Sequence, residues 1–125
     1  MKAITYKHSK ADGLLGYELL PARYGEKWNQ IEADSVFIYA GDFDYLMPYL
    51  KKHYPIVDPV TKDRYGYFDT TGFNPIAKAL WTNILAEMKA YQTKDRELKA
   101  FIRSLVTWLE IQLEWADEII IFGNV

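Results

Sequence analysis

Between positions 94 and 117, apolar residues cover roughly half of a helical wheel drawn at about 100° per residue. Leu98, Ile102, Leu105, Leu109 and Leu113 fall together. Phe101, Trp108 and Trp115 flank them on one side and Val106 on the other. A stripe that wide requires more than one element packed against the helix. Arg96, Lys99, Arg103, Glu110, Glu114 and Asp117 form the opposite, solvated face. Thr93 can cap this helix, with Asp95 and Glu97 early in it. A helix before it is expected from Asn74-Pro75, Asn at the cap and Pro at the first position, to about Gln92. Ile76, Leu80, Ile84 and Met88 form its stripe, beside Trp81 and Leu85. The short connection makes the two helices antiparallel neighbours.

After the second helix comes IIIF, Ile119 to Phe122, which reads as a strand covered on both faces. The expected neighbours are SVFIYA (35–40) and KAITYK (2–7), whose apolar residues alternate. SVFIYAG reads as a buried strand, or as a helix starting at Asp34. Residues 9–30 hold three Gly and one Pro and read as loop with short pieces of structure, in which Leu14, Leu15, Leu19, Leu20 and Trp28 are expected to be buried, with Ile31 just after it. Asp42 or Asp44 is expected to cap a helix with Pro48 near its first turn. Lys51, Lys52 and His53 suit its negative end, and Tyr54-Pro55 stops it. Residues 56–63 are a turn region, and 64–72 a strand or extended loop. The 125 residues fit one α+β domain, 1–125, with a helix-rich C-terminal half and a small sheet.

The chemistry that composition excludes is extensive. There is no Cys, hence no disulfide, thiolate or Cys-type zinc site. His8 and His53 stand alone, and Asp42 and Asp44 lack the further ligands of a calcium loop. Ser9, Ser35 and Ser104 are the only serines, none in a GxSxG setting, and Ser104 is expected to pack inside its helix. TTGFNP (70–75) and DGLLG (12–16) lack a phosphate-binding signature. No catalytic residue, metal ligand or cofactor is therefore expected. The N-terminal residues lack the apolar core of a signal peptide, and no run approaches the roughly 18 residues of a membrane span. A soluble cytoplasmic protein that binds neither membrane nor nucleic acid is expected, the latter from a pI near 5.7.

One charge pattern stands out. From Ser104 to Val125 there is no Lys, Arg or His, while Glu110, Glu114, Asp117 and Glu118 lie there. The second helix is thus basic first and acidic last, which opposes its macrodipole. Basic groups elsewhere in the fold offset this, or the acids form a patch for a basic partner. Glu110, Glu114, Asp117 and Glu118 are accordingly candidate binding residues, with Tyr65 and Tyr67 as aromatic candidates.

The stretches YFDTTGFNPI (67–76), LWTNILAEM (80–88) and VTWLEIQLEWADEIIIFGNV (106–125) resemble small bacterial immunity proteins, including those paired with toxins of contact-dependent growth inhibition systems. The likeness covers roughly the last 60 residues, with Trp81, Trp108, Asp117, Gly123 and Asn124 as its notable positions. It implies a stoichiometric inhibitor, without cofactor or catalysis, of a cognate toxin C-terminal domain, often a basic nuclease. A generic adaptor domain is the alternative. A third is an enzyme or small-ligand binder using Tyr65 and Tyr67.

Overall fold

The computed structural model describes residues 2–9, 12–26 and 34–125. Trp28 and Ile31 lie outside them. The strand formed by the IIIF segment, β7 (Glu118–Gly123), runs between β2 (Gly16–Ala22) and β6 (Phe73–Ala77), antiparallel to both. β3 (Val36–Tyr39) flanks β2, and β1 (Lys2–Ala3) pairs in parallel with β3. The five-stranded order is β1-β3-β2-β7-β6. Two expectations are corrected here. SVFIYA and KAITYK each contribute a strand to this sheet, Val36–Tyr39 and Lys2–Ala3, but neither touches β7. The neighbours are a segment read as loop and a segment read as a helix start.

Both errors have local causes. β2, GYELLPA, carries Gly and Pro at its ends, which mask a stretch whose Tyr17 and Leu19 are buried. Leu14 and Leu15, expected inside, are instead 64% and 58% exposed. Asn74 looks like a helix cap, but its side chain is buried in β6. Its Oδ1 accepts from the Asp69 N–H (2.7 Å), and its Nδ2 donates to the carbonyls of Asp69 (2.8 Å) and Ile121 (3.1 Å). Pro75 is tolerated because β6 is an edge strand, where a missing N–H need not break a ladder.

The helix pair lies across one face of the sheet: α3 (Lys78–Ala90) and α4 (Arg96–Leu113). Asp95, not Thr93, caps α4, accepting from the N–H groups of Glu97 and Leu98 at 3.0 and 3.1 Å. The wide stripe of α4 is satisfied as its width requires. Leu98, Phe101, Ile102, Leu105, Leu109 and Leu113 join a core with Leu19, Ile38, Ile76, Trp81, Ile84, Ile119 and Ile121. The Trp81 indole donates to the Ile119 carbonyl at 3.3 Å, tying α3 to β7. Ser104, expected to pack, faces solvent.

The expected helix over 42–55 is two short pieces, α1 (Ala40–Phe43) and α2 (Met47–Lys51), with Pro48 in the first turn of α2. Asp42 does not cap it. Its fully buried carboxylate accepts the N–H groups of Tyr6 (2.8 Å), Lys7 (2.9 Å) and His8 (3.2 Å), and contacts His8 Nδ1 at 2.8 Å. Burial pushes this carboxyl up, but the Tyr6 N–H, the His8 ring and the other N–H donors outweigh it and hold it below its usual range. Lys52 and His53 both pair with Glu87 of α3, which clamps α2 to the helix pair.

The segment after β7 is pinned from both sides. Gly123 N–H donates to the Gly72 carbonyl (2.9 Å), and Val125 N–H to that of Thr70 (3.0 Å). Asn124 Oδ1 accepts from Gly16 N–H at 2.7 Å. Gly123 and Asn124 therefore hold the sheet together. No helix among the described residues is long and apolar enough to cross a membrane.

Candidate functional site

Alternate residues of β7 point to opposite faces of the sheet. Ile119 and Ile121 enter the core beneath the helices, so Glu118 and Ile120 face the other way. There a hairpin, β4 (Ile56–Val57) and β5 (Arg64–Tyr65), lies beside the sheet. Its turn is built by Asp58, whose Oδ1 accepts the N–H groups of Val60 and Thr61, each at 2.9 Å. Asp58 N–H donates to the Asp63 carbonyl at 2.9 Å, closing the loop.

A cleft of about 240 Å³ separates this hairpin from the ends of β2, β6 and β7. Phe73, Pro75, Ile120 and Ala22 give it apolar walls, while Asp58, Asp63, Glu118 and Glu26 supply carboxyl groups. Tyr65 enters through β5 and lies against Phe73, ring centroids 6.2 Å apart. Tyr24 enters through the turn after β2. Its hydroxyl oxygen is buried with no hydrogen-bond partner among the described residues, and burial raises its pKa to about 12.

Glu118 is the unusual group. It sits on β7 opposite Ala22 and Ala77, half-buried, and forms no ion pair among the described residues. Burial, with Asp58 and Asp117 adding like charge, raises its carboxyl to about 7. Glu118 is therefore only partly ionised at neutral pH. A cation entering the cleft would meet a carboxyl ready to release its proton.

The six sequence candidates divide among four places. Glu118 and Tyr65 meet in the cleft. Glu110 and Glu114 line the groove between α3 and α4, where Glu110 pairs with Lys89 at 2.8 Å. Asp117 is structural: its carboxylate accepts from Tyr24 N–H at 2.9 Å, its own N–H donates to the Ala22 carbonyl at 2.9 Å, and its carbonyl accepts from Lys78 N–H at 3.0 Å. Tyr67 stands away from the cleft, 73% exposed. Asp58, Asp63, Glu26 and Tyr24 were not among the candidates. Asp58 and Asp63 lie in a stretch legible only as a turn, and nothing in the sequence brings that turn to β7. Among the described residues no group of three or more His, Asp or Glu side chains is placed to hold a metal ion. No family model, no curated protein and no solved structure matches this chain.

Proposed function

We propose that this protein is a stoichiometric inhibitor, an immunity protein that binds a basic toxin domain and receives one of its cationic side chains in the cleft at Glu118. The supporting observation is the cleft itself, which gathers Glu118, Asp58, Asp63 and two tyrosines around an apolar wall. Its size favours a side chain over a free ligand. Small-molecule pockets typically measure about 300–1,000 Å³, and this one holds about 240 Å³. Tyrosine walls with carboxylates suit the aliphatic stem and charged head of Arg or Lys. Acidic surfaces also speed encounter with a basic partner. Such inhibition needs no cofactor and no catalytic group. The bacterial cytoplasm, where a toxin would act on its own cell, is the compartment this reading requires.

The test pairs the chain with the C-terminal domain encoded immediately upstream of its gene. Growth arrest by that domain, relieved by co-expression of this protein and accompanied by a purifiable 1:1 complex, is the expected result. Glu118→Lys should abolish rescue without unfolding the protein. Toxicity with neither rescue nor complex formation would refute the reading.

A further inference from the structure

The charge order of α4 gives a second surface. Arg96, Lys99 and Arg103 toward the start of this 18-residue helix, Glu110 and Ile111 near its end, and its C-cap Glu114 are all exposed. At about 100° per residue they form a single stripe, basic at its start and acidic at its end. Among the described residues Arg96, Lys99, Arg103 and Glu114 make no ion pair; Glu110 alone is held, by Lys89. The fold therefore leaves most of these misplaced charges uncompensated.

We propose that α4 pairs antiparallel with α4 of a second copy of this chain, across a two-fold axis between Arg103 and Thr107. The two ends of the pattern are self-complementary about that point, and the Arg103 residues of the two copies lie to either side of it. Arg96 then lies opposite Glu114 of the copy. Lys99 lies within one residue of the level of the copy's Glu110 and on the same side of the contact. Ile111, 53% exposed, falls beside the copy's Ala100. Ala100, Ser104 and Thr107 keep the centre small, so the helices can approach to about 8–10 Å. Each interaction is made twice, as an isologous contact demands. The arrangement also reverses the dipole conflict. Each positive helix start and its basic residues meet the negative end and acids of the other helix.

The second copy is the occupant that fits because both halves of the required complement are on this one stripe. A partner with only acids would leave Glu110 and Glu114 facing like charge. A helix about 27 Å long covers an area near the lower bound of about 1,000 Å² for a specific contact. The dimer is therefore weak, and it loosens as salt screens the exposed pairs.

Sedimentation equilibrium on the purified full chain, from about 10 µM to about 1 mM in low salt, tests this. Two charge-reversed proteins complete the experiment: Arg96→Glu with Lys99→Glu and Arg103→Glu, and Glu110→Lys with Glu114→Lys. The wild type should dimerise with concentration, and each variant should associate at least tenfold more weakly. An equimolar mixture of the two variants should recover a heterodimer. All five side chains are exposed, and Glu110→Lys gives up only an exposed pair with Lys89, so both variants should keep the native fold. If either unfolds, Glu114→Lys and Arg96→Glu as single variants carry the same comparison. A wild type that stays monomeric throughout would overturn the proposal. So would a dimer indifferent to both reversals, or a mixture that fails to re-associate.

Discussion

Glu118→Gln should make this protein more stable, and only above a certain pH. In the unfolded chain the carboxyl titrates near 4.5, and in the fold near 7. Below about pH 4.5 it is protonated in both states, and folding carries no penalty. As pH rises from there to about 7, the unfolded chain releases the proton while the folded chain retains it, so stability falls. Above about 7 both forms are ionised and the penalty is constant. At 1.36 kcal/mol per pH unit, the interval sets a ceiling of about 3 kcal/mol. Glu118 is half-buried beside an open cleft, so solvent screening reduces this to about 1–2 kcal/mol. Gln keeps the shape and removes the charge. Urea denaturation at about pH 8 should therefore show a gain of about 1–2 kcal/mol, and at about pH 4.5 almost none. Glu114→Gln, at an exposed position, is the control and should change little at either pH. An equal gain at both pH values would show that charge is not the cause. A loss at pH 8 would mean that the carboxylate is compensated in the fold and that the cleft has no uncompensated charge to offer a partner.

Asp42→Ala should cost about 3–5 kcal/mol in chemical denaturation, because it leaves three backbone N–H groups and the His8 ring without their buried acceptor. The Asp42 bond raises the His8 pKa above 6.5, so the contact's contribution is full below that value and fades as pH rises through the folded one. His8→Gln should accordingly be more destabilising at about pH 5.5 than at about pH 9, as thermal melts at the two pH values would register. Gly123→Ala should destabilise by about 1–3 kcal/mol, since its Cβ would lie 2.2 Å from the Thr70 carbonyl oxygen, backbone that cannot swing aside. Asn74→Ala should cost about 2–4 kcal/mol in the same assay, as three hydrogen bonds between β6, β7 and the 69–72 turn are lost.

The helical half of the fold was legible because periodicity reports burial directly. The stripe through Leu98, Leu105 and Leu109 has one interpretation, and so does that through Trp81, Ile84 and Met88. Strand identity was also legible where β-branched residues cluster, in Ile119–Ile121, whereas at Val36–Tyr39 the sequence left strand and helix both open and the structure has the strand. Strand order was not. Sheet pairing is set by contacts between distant segments, and the register of β7 depends on Leu19 and Ile76 fitting beneath the helices together with Ile119 and Ile121. Asn74-Pro75 shows why local signals mislead. The same two residues that start a helix cheaply also sit inside an edge strand cheaply. What decides between them is the Ile121 carbonyl, 47 residues away, which accepts from the Asn74 amide.

The site follows the same logic at higher resolution. A run of acids in the sequence, Glu110 to Glu118, looked like one patch, but the chain turns at Ala116-Asp117 and sends the acids to opposite sides of the sheet. Glu114 stays on the helical side. Glu118, four residues on, enters a strand whose alternation aims it away from the helices, toward Asp58. Asp117 marks the crossing, fastened by main-chain bonds to Ala22 and Lys78 and by its carboxylate to Tyr24. The bonds that force the turn therefore also place Tyr24 in the cleft wall beside Glu118. Asp117→Ala should disturb the cleft and the helix–strand corner together, whereas Glu118→Gln should change the cleft alone. Comparing the two variants for partner binding and for melting separates what the corner contributes to the fold from what the cleft contributes to recognition.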